Sequence, residues 1–153
     1  MNHKNHKNLI KAFLSIKKKY YPSLVLTLND KEKEKINYEL LKKKINIYNF
    51  KILNEKSFFS LFSQCKYLIY PSLNESLGLP IIEAINLGVY PILPRLTYAQ
   101  QFIKSELDFD PYCPKSIANV IKIALRKQFY KKYFKIEVEN SFFNFDDLIK
   151  LLK

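Results

Sequence analysis

Glycine is scarce in this sequence. Only Gly78 and Gly88 are glycine among its 153 residues, whereas about ten would be average for that length. Both lie in the segment 71–88, PSLNESLGLPIIEAINLG, so we expect each to serve a backbone conformation that other residues adopt poorly. The scarcity therefore makes this segment the first candidate for a functional site.

Long apolar runs and closely spaced cysteines are also missing. No run approaches the roughly 18 apolar residues of a membrane-spanning helix, and residues 1–8 contain no apolar core of a secretion signal. Cys65 and Cys113 lie far apart in no metal-ligand pattern, which predicts reduced thiols in a cytoplasmic protein. His3 and His6, with no cysteine beside them, make only a weak case for a metal site.

The charge is strongly positive, with 26 Lys and Arg against 14 Asp and Glu and a net charge of +12. Basic clusters at 17–19, 42–44 and 126–135 are scattered and lie mostly at predicted helix ends, where cations match the helix dipole. No signature of a nucleic-acid-binding module is present, so we expect no nucleic-acid partner. A basic surface for an anionic substrate, or for peripheral contact with the inner membrane face, stays an alternative.

A strand, a loop and a helix are predicted around the two glycines. The apolar run at 65–70 is typical of a strand, Pro80 suits the first position of a helix, and Gly88 suits the residue that ends one. Free amides at the helix start, together with the helix dipole, would favour an anion there. These amides belong to Ser76, Leu77, Gly78 and Leu79. We expect Gly78→Val to crowd such an anion and to leave the fold largely intact.

Apolar patterning predicts alternating strands and helices along the chain. The predicted strands are 23–28, 47–53, 65–70 and 89–93, and the further helices are 8–21, 31–44, 57–64, 98–104 and 116–127. This alternation predicts an α/β fold, a single domain with a doubly wound, Rossmann-like parallel sheet.

The segment 71–88 resembles the signature of family 4 glycosyltransferases, which have the two-domain GT-B fold. The positions in register include Pro71, Ser72, Glu75, Gly78, Leu79, Pro80, Glu83, Ala84 and Gly88. In that family the loop glutamate, here Glu75, contacts the donor sugar, and the helix glutamate, here Glu83, holds the ribose hydroxyls from the first helical turn. The resemblance implies a nucleotide-diphosphate sugar as substrate, with Glu75 as the catalytic residue and no metal or other cofactor.

A second match lies near the start of the chain. Lys4 and Asn5, with Leu9, Ile10, Ala12 and Phe13 after them, resemble a family Lys-Asn pair whose lysine reaches the donor diphosphate. Residues 109–111 and 116–127 and the tail 141–152 also resemble family elements. The match covers nearly the whole chain, 1–153, but only the C-terminal, donor-binding half of a GT-B enzyme.

The resemblance also implies that parts of the enzyme are missing. The N-terminal, acceptor-binding domain is absent, and Met1 stands almost where the first strand of the donor-binding domain should end. Because that strand lies in the middle of a doubly wound sheet, we expect the strands at 23–28 and 66–70 either to lie beside a gap or to be forced together, in a chain that is inactive alone. Transfer to a glycan or lipid-linked acceptor would then need an N-terminal GT-B half or self-association. The alternatives are a non-catalytic remnant and a basic binding module.

Overall fold

The computed structural model describes residues 3–17, 22–51, 53–101, 103 and 105–127. Its helices are α1 (His6–Ser15), α2 (Asp30–Lys35), α3 (Tyr38–Lys42), α4 (Glu55–Phe62), α5 (Leu79–Asn86), α6 (Thr97–Gln100) and α7 (Pro114–Lys127). Its strands are β1 (Leu24–Leu26), β2 (Ile47–Asn49), β3 (Tyr67–Ile69), β4 (Tyr90–Pro94) and β5 (Asp108–Phe109). Strands and helices alternate in chain order, as the apolar patterning predicted.

The strands form two parallel groups. β1 pairs with β2, and β3, β4 and β5 pair in that order. Within the described ranges no strand pairing joins β1 to β3. The predicted α/β fold with parallel strands is confirmed, and the break between β1 and β3 fits the expectation of an incomplete sheet.

One apolar core spans both groups of strands. α1 packs against α7, and the core between them and the strands includes Leu24 of β1, Ile47 of β2 and Ile92 of β4. α7 contributes one face at helical spacing, formed by Ile117, Ala118, Val120, Ile121 and Ala124. β4 is buried along its whole length, whereas β3 is only half-buried. The two groups of strands therefore share one helical layer, although no ladder connects them.

Two predicted helices have different bounds in the structure. α1 ends at Ser15 and not at residue 21, and residues 18–21 lie outside the described ranges. The single helix predicted at 31–44 is two short helices, because Asn37 adopts a left-handed conformation with φ 52° between them. Asparagine is one of the few non-glycine residues that adopt this conformation readily. Apolar spacing carries no signal for such a break.

Other elements also begin or end at residues that differ from those predicted. α4 begins two residues before Ser57, because the side chain of Asn54 and not that of Ser57 accepts the capping hydrogen bond, from Ser57 N at 2.9 Å. β2 stops at Asn49, and Lys51 has φ 54°, outside the strand region. β5 was not predicted as a strand, and the predicted tail helix at 141–152 lies outside the described residues.

Membrane-spanning helices are absent from the part of the chain that the structure describes.

Candidate functional site

The loop between β3 and α5 lies at the carboxyl ends of parallel strands. β1 leads to β2 on one side of the break, whereas β3 leads to β4 and then β5 on the other side. No pairing joins the two groups within the described ranges. Open α/β sheets bind ligands outside the carboxyl ends of their strands. The segment containing the two glycines is thus placed where the fold favours a ligand site.

This loop contains a run of free backbone amides. Among the described residues, the backbone N–H groups of residues 76–79 donate no hydrogen bond to the protein. The next helical residue, Pro80, has no N–H, and Ile81 N donates back to Gly78 O at 2.8 Å. The donors available to an anion therefore include those of Ser76, Leu77, Gly78 and Leu79, and the amides of Asn74 and Glu75 are free in the same way within the described residues.

Gly78 sets the geometry of the turn. It is the N-cap of α5 with φ +62°, a left-handed conformation that glycine adopts without strain. A Cβ at this position would lie 3.1 Å from Ile81 Cδ1 and 3.7 Å from Tyr98 Cδ2. The expectation that valine would leave the fold largely intact is therefore wrong, because a β-branched side chain is strained at this φ and crowded by Ile81. Helix α5 begins at Leu79, so Pro80 is its second residue and not its first.

The Glu75 carboxylate is held by hydroxyl groups. Ser72 Oγ donates to Glu75 Oε1 at 2.8 Å, and the Tyr70 hydroxyl interacts with the same side chain. Burial and then this interaction with Glu75 raise the pKa of Tyr70 above its ordinary range, so the phenol stays protonated. Glu75 is itself half-buried. The structure thus gives Glu75 a fixed orientation at the start of the free amides.

Tyr98, from α6, contacts the loop through its hydroxyl and its ring. Its hydroxyl donates to Ser72 O at 2.7 Å, and its ring lies beside Gly78. The rings of Tyr70 and Tyr98 pack edge to face, with centroids 6.4 Å apart. Burial and the Glu75 carboxylate raise the pKa of Tyr98 above its ordinary range. Sequence reasoning missed Tyr70 and Tyr98 as site residues, since neither belongs to the matched motif and their contacts are tertiary.

Glu83 lies near this cluster but in a different environment. It is the fifth residue of α5, in the second turn, so its predicted place in the first turn is wrong because the helix starts at Leu79. Its carboxylate makes no hydrogen bond or ion pair within the described ranges. Partial burial and then the charge of Glu55 raise the pKa of Glu83. Glu83 also acts electrostatically on Tyr70, which places both glutamates within range of one phenol.

The N-terminal segment crosses the carboxyl edge. His3 O accepts from Leu73 N at 2.8 Å, which ties the segment to the loop after β3, and Ser72 Oγ lies 3.2 Å from the same oxygen. Asn5 is buried, has φ 53°, and donates from Nδ2 to Pro111 O at 2.7 Å after β5. Between them, Lys4 Nζ pairs with Glu32 Oε1 of α2 at 3.1 Å. The structure therefore brings the Lys4 backbone beside the loop and gives its ammonium a partner on the far side of the break.

Comparisons with known proteins agree with the α/β fold. The sequence matches the family model described as glycosyl transferases group 1 over residues 1–140. Among solved structures, the catalytic domain of cholesterol-alpha-glucosyltransferase from Helicobacter pylori is similar, with a TM-score of 0.70 and 23% identity. That similarity covers 86% of this chain and 84% of the other. At this identity it shows the fold, which is Rossmann-like. A search of curated proteins returned no match.

Proposed function

Because the chain belongs to the family of group 1 glycosyl transferases, we propose that it binds a nucleotide-diphosphate sugar. In this proposal it is the C-terminal, donor-binding domain of a family 4 enzyme with the GT-B fold. The observation that carries the proposal is the row of free amides at residues 76–79 beside the Glu75 carboxylate. Amides that face no protein acceptor suit a diphosphate, and a carboxylate next to them suits sugar hydroxyls.

Each site residue has a proposed role. The amides of Ser76, Leu77, Gly78 and Leu79 bind the diphosphate at the start of α5, where the helix dipole also favours negative charge. Glu75, held by Ser72 and Tyr70, faces the donor sugar. Glu83, which has a carboxylate without a partner among the described residues, accepts hydrogen bonds from the ribose hydroxyls. Lys4 supplies positive charge to the phosphates. No metal is needed, because the amides and Lys4 together provide the positive electrostatic field that a diphosphate requires.

The proposed transfer reaction needs a second domain. Glycosyl transfer depends on an acceptor held in line with the donor carbon, and such positioning supplies much of the rate. The break between β1 and β3 leaves two strands without a neighbour on one side among the described residues. Unpaired strand edges favour pairing with another chain or segment. We therefore propose that an N-terminal GT-B half, or self-association, completes the sheet, and that the 153 residues alone neither transfer nor hydrolyse the sugar at a useful rate.

Amide chemical shifts test donor binding directly. Labelled protein is titrated with a nucleotide sugar and with the matching free nucleoside diphosphate. Shifts should concentrate at residues 76–79, with no dependence on Mg²⁺. Unmoved amides at millimolar ligand would contradict donor binding, and shifts that occur only after Mg²⁺ is added would contradict the metal-free site.

Two variants separate the roles of the glutamates. A charged hydrogen bond is worth roughly 1.5–3 kcal/mol, so Glu83→Ala should weaken a ribonucleotide at least about tenfold and the deoxyribonucleotide less. Glu75→Ala should weaken the nucleotide sugar more than the free nucleotide. Equal affinities of wild type and Glu83→Ala for the ribonucleotide would refute the ribose role.

A donor-turnover assay tests the need for a second domain. Turnover is measured for the chain alone and after adding a GT-B N-terminal half that carries the missing strand, with Glu75→Ala as the control. Robust turnover by a monomer of the lone chain would contradict the proposal.

The basic surface supports a second candidate function. The net charge of +12 would favour peripheral contact with an anionic membrane at its cytoplasmic face, by a non-catalytic binding module. Vesicles that contain anionic lipid test this candidate. Vesicle binding without any nucleotide preference would favour it over donor binding.

A further inference from the structure

The ion pair between Lys4 and Glu32 joins segments that belong to the two groups of strands. α2, which carries Glu32, begins a few residues after the carboxyl end of β1. The Lys4 backbone is anchored through its neighbour His3 to Leu73, in the loop after β3. The ion pair therefore links the loops that follow β1 and β3, which belong to two separate groups of strands. A ligand that Lys4 contacts has Glu32 close to it as well.

Glu32 is fixed in place as an anion. Its Oε2 accepts from Asn29 N at 3.0 Å, and its own backbone N donates to Asn29 Oδ1 at 2.9 Å, which forms a capping box. Its other oxygen, Oε1, accepts from Lys4 Nζ. The hydrogen bond from Asn29 N, followed by the hydrogen bond and charge of Lys4, holds the pKa of Glu32 below its usual range against the opposing effect of burial. The carboxylate therefore stays charged. The hydrogen bond from Asn29 N keeps it in place when Lys4 binds another group.

This arrangement limits the positive charge that the crevice offers. Lys4 is half-exposed and has two further N–H donors besides the one bound to Glu32. It can therefore contact a phosphate without leaving Glu32. The phosphate then experiences the attraction of one charge and the repulsion of the other. Coulomb energy is proportional to ligand charge, so the repulsion grows with every added phosphate charge.

We propose that Glu32 is a specificity-determining residue that selects against highly charged phosphate ligands. It favours a nucleotide sugar over a free nucleoside diphosphate, and a nucleoside diphosphate over a nucleoside triphosphate, where each step adds roughly one negative charge. This inference rests on the proposed donor site. Transfer of the sugar converts the less charged ligand into the more charged nucleoside diphosphate, so Glu32 would also promote release of the product.

The decisive variant is Glu32→Gln, with Asp30→Asn as the matched control. Glutamine retains the capping box at this position, so α2 should still form. Asp30 lies two residues earlier in the same helix, pairs with Lys33 at 3.1 Å, and removes the same charge when changed to asparagine. Dissociation constants are measured by calorimetry for a nucleotide sugar, a nucleoside diphosphate and a nucleoside triphosphate, and thermal unfolding checks the fold of each variant.

Glu32→Gln should tighten all three ligands, by about threefold more for each added ligand charge at low salt. Asp30→Asn should change them little. When Lys4→Ala is also present, Glu32→Gln should still tighten binding of the triphosphate more than binding of the other two ligands, because the repulsion between Glu32 and phosphate does not depend on the ion pair. Weaker binding of every ligand by Glu32→Gln, an equal effect on all three, or the same effect from Asp30→Asn would overturn the proposal.

Inorganic triphosphate separates this inference from the proposed function. If the wild-type chain binds no nucleotide, the proposed function fails, and the same variants are then titrated with inorganic triphosphate. Tighter binding by Glu32→Gln than by Asp30→Asn would support the charge selection on its own. No difference between the two variants would overturn it.

Discussion

The loops after β1 and β3 lie at the same edge of the parallel strands, yet they are held in different ways. The loop after β1 is held by Asn49, whose side chain pairs with both backbone groups of Leu28, and by the capping box of Asn29 and Glu32. The capping box is exposed, whereas the contacts of Asn49 are partly buried. The loop after β3 is held by half-buried side chains that meet on one carboxylate, Glu75.

The two loops therefore differ in how their contacts act: a capping box stabilises one helix start, whereas a hydrogen-bond network stabilises several groups together. The capping box of the β1 loop stabilises the start of its own helix, so its removal should have a local effect. In the loop after β3, Tyr98 binds Ser72, Ser72 binds Glu75, and Gly78 allows the backbone to reach α5. Neighbouring groups in one hydrogen-bond network are coupled, so a change to one is expected to disturb the others.

Gly78→Val should have the largest effect. A side chain at φ +62° is strained, and its Cβ would crowd Ile81, so we expect a loss of about 2–4 kcal/mol in the free energy of unfolding. Chemical denaturation measures it. Ser76→Val, an exposed position two residues earlier, is the matched control and should change stability by less than about 0.5 kcal/mol. Equal stability of the two variants would show that the turn is not constrained.

Tyr98→Phe should have the next largest effect. The variant keeps the ring beside Gly78 and removes only the donor to Ser72 O, whose residue is buried. An unsatisfied buried acceptor costs about 1–3 kcal/mol. Thermal unfolding should therefore show a clear decrease, together with weaker binding of the nucleotide sugar. Tyr112→Phe, at an exposed tyrosine with no side-chain hydrogen bond in the described ranges, should leave both unchanged. A similar loss in both variants would refute the network.

Asn29→Ala tests the loop after β1 and should cost about 1 kcal/mol, the usual value of an N-cap. Because the contact is local, hydrogen exchange should accelerate within α2 and remain unchanged in α5. Asn54→Ala, at the N-cap of α4, provides a matched comparison with a similar expected cost. Faster exchange in α5 after Asn29→Ala would contradict the distinction between the two loops.

Much of the fold followed from local pattern. Apolar runs located all strands except β5, which has only two residues. The scarcity of glycine identified positions that need positive φ, and both have it, with Gly78 at 62° and Gly88 at 67°. The break at Asn37 was not predictable in this way, since apolar spacing continues through it. Local sequence thus predicted elements better than their ends.

The hydrogen-bond and ion-pair partners of the site residues could not be predicted from local sequence patterns. Tyr98 bonds Ser72 across 26 positions, and Lys4 pairs with Glu32 across 28. Such pairs arise only when parallel strands bring distant loops to one edge. Resemblance to a family placed Glu75, Glu83 and Lys4 in a site, but it could not indicate that Glu75 is bound by hydroxyls and Glu83 is not.

Glu83→Gln should have the smallest effect on the free energy of unfolding. It should raise this free energy, whereas the other variants should lower it. Burial and Glu55 raise the pKa of Glu83 in the folded chain, so the folded state binds more protons than the unfolded state over that range. Stability therefore falls as pH rises from the ordinary glutamate range through the raised pKa. At neutral pH the variant removes this penalty and should gain stability, by less than about 1 kcal/mol because solvent screens a half-buried side chain.

The gain should be present at neutral pH and vanish in acid, below about pH 4, where both states are protonated. Thermal unfolding at several pH values measures it, with Glu39→Gln, an exposed glutamate of α3, as the control that should show no gain. The same Glu83→Gln variant should bind a ribonucleotide more weakly, because an amide accepts a hydrogen bond less strongly than a carboxylate. A residue that lowers stability while it improves binding is typical of a functional site. A variant that loses stability at neutral pH, or gains it without weaker nucleotide binding, would contradict that role for Glu83.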